Sequence, residues 1–200
     1  MFIELAEFLR CPLPHEPRTY PVLVPERMEG RDVVSGVIAC PVCRREYPIA
    51  EGVADLRPPE TSAPAPSPAG GPLPAAGAVQ ALLGLGGPGG YVVLVGSAGT
   101  LAPALAPLLD GVHLVLVDAP DDVPRSPGVS ALRGGEQLPL QSAMARGVVI
   151  GAERARAPWL AEGARLLLRG LRLVVLAERV EAPGVDRLAS GDGMWVGERG

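Results

Sequence analysis

The 200-residue chain contains no lysine and no asparagine. Without lysine there can be no glycine-rich phosphate loop of the kind whose lysine reaches a nucleotide's phosphates. Every basic residue is an arginine. Together with abundant Ala, Gly, Pro and Val, this reads as the codon bias of a GC-rich, bacterial genome rather than as phosphate recognition. Cysteine is scarce: there are three, two of them in Cys40-Pro41-Val42-Cys43. An odd, small number fits a reducing compartment and a metal or remnant metal site better than a disulfide framework. No apolar run is long enough to span a bilayer. Residues 1–10 carry Glu4 and Glu7 and lack a basic segment ahead of an apolar core, so no signal peptide is expected. These absences make a soluble, cytoplasmic protein the expectation. A net charge of -4 argues against a general nucleic-acid binder. No Ser–His–Asp order suggests a hydrolase.

What is present centres on Tyr91–Asp118. Tyr91–Val95 is a short, β-branched apolar run that reads as a buried strand. Gly96-Ser97-Ala98-Gly99-Thr100 is a small-residue turn. Leu101–Leu109 has helical spacing, and Val112–Val117 is a second buried strand ending on Asp118. In such strand–turn–helix–strand units a nucleotide-like ligand lies over the turn. An acid about 20 residues further on holds ribose hydroxyls. Gly96, Ser97, Gly99 and Asp118 are therefore the candidate cofactor-binding residues. The plainer alternatives are turn geometry for the glycines and a strand-end acid for Asp118. His113, inside an apolar strand, reads as a satisfied core histidine.

Ahead of this unit, Phe2–Leu9 has helical spacing and stops before Pro12 and Pro14. Tyr20–Val24 and Val33–Ala39 read as a hairpin, with the polar stretch Pro25–Asp32 between them. The Cys40–Cys43 knuckle follows, then Arg44–Ile49 and a turn at Glu51-Gly52-Val53. With Cys11 at an earlier turn, the pattern suggests a zinc ribbon, because thiolates bind zinc well and four ligands can hold together a domain with little core. Pro14 stands where a second C-x-x-C would place its cysteine. His15 is the candidate fourth ligand beside Cys11, Cys40 and Cys43; the alternative is an exposed loop histidine.

FLRCP and then SGVIACPVCRREYPIAEGVADLRP resemble the Trm112-like domain, over about residues 1–57. That resemblance implies a small partner or activating module of methyltransferases, which also occurs fused to them in cis. Arg57–Ala76 is dominated by Pro, Ala, Ser and Gly and reads as a semi-extended linker, so the domains are placed at 1–57 and 78–200, with residues 58–77 between them.

Beyond the linker, Ala78–Leu85 reads as a helix. Gly128–Leu132, Gly147–Ile150, Leu171–Ala177 and Met194–Gly197 read as strands. Pro158–Leu168 reads as a helix stopped by Gly170. Alternating apolar strands and helices give an α/β domain, here a truncated Rossmann-like, mostly parallel sheet behind the small α+β module. The order VVLVGSAGT, LVLVD, EQLPL and WLAEGARLLLRGLRLVVLAE resembles the class I S-adenosylmethionine-dependent methyltransferases. The sequence departs from that pattern in several places. Leu94 replaces an acid in the first strand, Ala98 and Thr100 replace glycines, and Gly134 stands where an acid often holds the adenine. No Asn-Pro-Pro-Tyr-like segment follows the fourth strand, which runs into Ile150–Glu153. Trp159 and Trp195 are expected at the domain edge, and the arginines of Arg154–Arg156 on a solvated face.

Together the resemblances imply a methyltransferase-like protein with an S-adenosylmethionine-binding fold whose catalysis is reduced or lost, a pseudoenzyme. The rival expectations are an active methyltransferase of unknown substrate and a non-catalytic scaffold. A scaffold would bind a protein partner through the Trm112-like domain or an exposed sheet edge.

Overall fold

A computed structural model describes residues 1–15, 20–58, 73–124 and 126–200. Most of the expected linker, residues 59–72, lies outside these. Ala76 and Gly77, assigned to it from composition, form the first turn of a helix.

The amino-terminal hairpin is longer than expected. Strand β1 (Val22–Glu29) runs straight through Pro25, and β2 (Asp32–Ala39) returns from a turn at Gly30. The register slips between Pro25 and Met28. β1 is the outermost strand, and an edge with bulges tolerates a residue that has no N–H to donate. Strands β3 (Glu46–Ala50) and β4 (Val53–Asp55) are joined by Glu51 and Gly52, both at positive φ, the geometry of a tight two-residue hairpin. The helix expected over Phe2–Leu9 is a 3-10 helix, Ile3–Phe8, which buries Leu5.

Helix α1 (Ala76–Leu83) ends on Gly84 in the left-handed conformation, which only glycine adopts without strain. Strand β5 (Tyr91–Val95) is buried along its whole length. The single helix expected over Leu101–Leu109 is split into a 3-10 helix (Gly96–Leu101), a one-turn α2 (Ala102–Leu105) and another 3-10 turn (Ala106–Leu108). Pro103 and Pro107 cause this. Neither has an N–H, and each sits at the start of its own segment, where none is needed.

Strands β6 (His113–Val117), β7 (Val129–Arg133) and β8 (Ala145–Ile150) follow. Helix α3 (Ala157–Leu166) is not stopped by Gly170: it ends at Leu166, and β9 (Leu167–Val175) starts at once. Gly170 lies inside β9 at positive φ. There the pairing with β8 jumps from Ala145–Leu167 to Gly147–Arg172, so the glycine serves a bulge. Strand β10 (Val185–Gly191) was not legible as a strand. It pairs with β11 (Met194–Arg199) across an Asp192-Gly193 turn.

The eleven strands of the described residues form one sheet, in the order β1-β2-β3-β4-β7-β6-β5-β8-β9-β11-β10. The central strands, from β4 through β7, β6, β5 and β8 to β9, are parallel, and both flanks are antiparallel. One face is packed by α1, α2 and Leu109. The other is packed by α3, by Leu138 and Leu140, and by Leu5 and Leu9 of the amino-terminal segment. Trp159 and Trp195, expected at an edge, are both fully buried. Among the described residues, no helix is long and apolar enough to cross a membrane.

His113 pins the amino-terminal segment to this sheet. Its ring stacks on Phe2 at 4.6 Å and meets Tyr91 edge-on. The Phe2 N–H donates to Ser130 Oγ, which leaves the Ser130 hydroxyl proton for His113 Nε2, 2.9 Å away. A hydroxyl that donates to Nε2 favours the neutral ring. Burial accordingly lowers the His113 pKa to about 4, with Asp32 opposing and the terminal amino group reinforcing. Between about pH 4 and His113's ordinary value near 6.5, the unfolded chain binds the proton that the folded chain refuses. Stability should therefore be fully present above that window and be lost as pH falls through it. Denaturant titrations from pH 4 to 8 should show this slope, and His113→Phe should flatten it.

Candidate functional site

Two clusters of functional side chains form, one in the amino-terminal module and one at the carboxyl ends of the parallel strands.

In the module, the turn after the 3-10 helix supplies Cys11 and His15, and the knuckle after β2 supplies Cys40 and Cys43. One donor atom from each of the four lies within 4.8 Å of every other. Cys11 Sγ and Cys43 Sγ are 3.8 Å apart, and His15 Nε2 is 3.2 Å from Cys40 Sγ. A tetrahedral zinc with its usual bond lengths sets such atoms about 3.5–3.8 Å apart, so the set fits that ion and could bind it. Pro14 is exposed and turns the chain so that His15, not Pro14, faces the thiols. Burial pushes the Cys11 thiol up to about 11. Burial acts on Cys40 in the same sense, but the Cys43 and Val42 N–H groups bring it down to about 7. Tyr47 lies 3.3 Å from Cys11 Sγ. Burial raises its hydroxyl pKa, so the phenol keeps its proton and can donate it to a Cys11 thiolate, as groups around metal ligands commonly do.

At the sheet's carboxyl edge, Gly96 leaves β5 at positive φ, and a Cβ there would run into the Glu153 carboxylate. That carboxylate caps the turn. It accepts from the Ser97 N–H at 2.8 Å and from the Ser97 hydroxyl at 2.5 Å. Thr100 tightens the same turn by donating to Ser97 O. Gly99 packs against Ala119, with no room for a side chain between them. Asp118, at the end of β6, is buried at positive φ, and its Oδ1 accepts from the Gly134 N–H at 2.9 Å. Burial raises its pKa, against the pull of the Gly134 N–H and of Arg154, Arg133 and Arg57. Among the described residues its Oδ2 has no hydrogen-bond partner.

The structure thus brings Gly96, Ser97, Gly99 and Asp118 to one edge, all of them buried. It adds two residues that the sequence reading did not place there. Glu153 was noted only as part of a segment lacking a motif. Arg154 was assigned to a solvated face, but it is only 8% exposed. Its guanidinium lies over Trp159, 4.4 Å from the ring centroid, an arrangement with its own cation–π attraction. A glycine and then a charged pair directly after a buried strand was the available signal. His113 begins β6, at the opposite end of that strand from Asp118, and takes no part in this site.

The parallel order β7-β6-β5-β8-β9, with antiparallel β11 inserted ahead of β10, defines an α/β protein with a mixed sheet that is parallel in the middle. Residues 3–52 match the Trm112p-like protein family, so the chain carries a Trm112-like domain at its amino end. No curated protein matches the chain by sequence. Solved structures resemble about half of it. One is a complex between the Haloferax volcanii Trm112 methyltransferase activator and a protein assigned as a methyltransferase, with 20% identity, a TM-score of 0.42 and coverage of 50% of each chain. The antibiotic-resistance methyltransferase Kmr matches at 14% identity and a TM-score of 0.43, over 62% of this chain and 93% of that one. Geranyl diphosphate C-methyltransferase from Streptomyces coelicolor A3(2) matches at 16% and 0.37, over 50% of this chain and 41% of that one. The chain spans about half the length of the Haloferax chain.

The quartet should take up one zinc ion per chain. Cobalt substitution should give the visible spectrum of a tetrahedral thiolate site. Changes around metal ligands alone cost about 10–100-fold in affinity, so His15→Ala should lower zinc affinity at least tenfold in a chelator competition.

Proposed function

We propose that this is a non-catalytic, methyltransferase-like binding protein, with its Trm112-like module docked in cis on its own α/β domain. The observation that carries the proposal is the Glu153 carboxylate on the turn after β5. Both Ser97 donors, which in such a turn would face a ligand, are consumed by a side chain of the same protein. Gly99 is packed directly against Ala119, the residue after Asp118. S-adenosylmethionine would have to displace a tethered carboxylate, which competes at an effective concentration of about millimolar or more. The edge of β4 is already paired with β7, so a separate protein partner would be bound elsewhere on the molecule.

One observation favours the rival reading of an active S-adenosylmethionine-dependent enzyme. Asp118 Oδ2 is buried without a partner among the described residues, and a ribose hydroxyl would satisfy it.

Calorimetric titration with S-adenosylmethionine and S-adenosylhomocysteine separates the two. The wild-type protein should give no heat and no thermal shift at millimolar ligand. Micromolar binding that is lost in Asp118→Ala would overturn the proposal. Glu153→Ala should strip two charge-assisted hydrogen bonds from the turn and destabilise the protein by about 1–3 kcal/mol in denaturant titrations.

A further inference from the structure

The metal cluster and Asp118 sit in different modules, yet a single segment, Gly134–Ser142, touches the surroundings of both. On the module side, the bonds fall on the residues leading into Cys11. The Arg10 N–H donates to Pro139 O at 3.0 Å, and the Gln141 N–H donates to Phe8 O at 2.8 Å. Leu9 and Leu140 form an antiparallel bridge. The Gln141 side chain donates to Glu7 O at 2.8 Å. Gln137, with its amide oriented to satisfy both neighbours, donates to Pro12 O at 2.8 Å and accepts from Arg10. These contacts bracket Cys11 on both sides, at Arg10 and at Pro12.

On the other side, the same segment holds the acid. The Gly134 N–H is the donor to Asp118 Oδ1. Pro139 leans on Gly134 so closely that a Cβ there would meet the proline ring at 2.9 Å. The segment contains no helix or strand of its own. Its position is set from outside, by the Cys11 turn and by a clamp on α3. In that clamp the Leu138 N–H donates to Glu162, while Arg165 donates to Leu138 O and Leu140 O and pairs with Glu162.

We propose that the Cys11–His15–Cys40–Cys43 metal site positions Gly134–Ser142, and through it Asp118, so that metal loading controls the order of the carboxyl-edge site. Gln141 is then a positioning residue, acting through the segment and not on a ligand. Bound metal fixes the Cys11 turn and, directly before it, residues Glu7 to Arg10, whose carbonyls and N–H groups hold Pro139 to Gln141. Without metal, among the described residues, the turn is joined to the knuckle and to β3 only through the contacts of Cys11 with Cys43 and Tyr47 and of His15 with Cys40. Segments held by few bonds of their own open locally well below the free energy of global unfolding. This coupling depends on metal at the quartet, not on whether Glu153 closes the turn after β5.

The test is hydrogen exchange read by mass spectrometry on the full chain, zinc-loaded and chelator-stripped, with metal content measured on the same samples. Stripping should speed exchange across residues 134–142 by about tenfold or more, while the peptides of β5 and β8 stay protected. Gln141→Ala, loaded with zinc, should speed exchange in the same segment without releasing metal. Unchanged exchange at 134–142 on stripping would overturn the proposal. So would loss of protection throughout the α/β domain, or a Gln141→Ala protein indistinguishable from wild type. Failure to load zinc would overturn the proposal as well, and would leave the reading of the carboxyl-edge turn untouched.

Discussion

The parallel pairing of β4 with β7 makes one molecule of two modules. It is short: Val53, Ala54 and Asp55 face Ala131, Leu132 and Arg133, with one further bond from the Leu56 N–H to Arg133 O. A ladder of this length cannot hold two domains together by backbone bonds alone, since each contributes only about 1 kcal/mol net. Its effect is to fix register. Once β4 is in place, Ala54 and Leu56 are fully buried, and Leu5 and Leu9 of the amino-terminal segment join the same apolar cluster as Val93, Val115 and Leu132. The link from β7 to β8 brings no helix of its own, so that face of the sheet needs cover. The 3-10 helix Ile3–Phe8 lies over it, with Phe8 against Tyr91. The module fills a layer that an α/β sheet ordinarily builds from its own crossovers.

The closed turn follows from equally local chemistry. A chain that leaves a buried strand through a positive-φ glycine presents N–H groups that have to be satisfied. In a binding site the ligand does this. Here Glu153, three residues after the end of β8, does it with its carboxylate, which accepts from both Ser97 donors. Gly151 keeps the close approach possible, because a Cβ there would meet both Ser97 and Glu153. Gly96, Gly151 and Glu153 thus form a mutually dependent set, and Arg154 beside them is fixed by stacking on Trp159.

Much of this was legible in the sequence, for identifiable reasons. β5, β6 and β8 are β-branched apolar runs, and the Trm112-like module announced itself through its cysteine spacing and the YPI tail. The misreadings share a cause: tertiary context overrode a local signal. Pro25 ends nothing because β1 is an edge. Gly170 stops no helix because β9 needs a bulge there. β10 was missed because its exposed residues show no apolar alternation; only the Asp192-Gly193 dipeptide marked its hairpin. The site was half legible. Gly96, Ser97, Gly99 and Asp118 could be picked out by spacing from the turn. The partner of Ser97 could not, because a carboxylate 56 residues away becomes a neighbour only when β5 and β8 pair.

The two outer strands bear on how such a sheet meets other proteins. Strand addition needs a regular, unpaired edge. β1 has register shifts from Pro25 to Met28, and β10 has one between Arg187 and Ala189. Bulges of this kind twist an edge away from pairing and are a common protection against unwanted strand addition. The regular edge the module does possess, β4, is buried against β7. Its strand-pairing capacity is thus used inside the chain. What remains available to another molecule is side-chain surface, where recognition depends on shape and charge rather than on backbone hydrogen bonds.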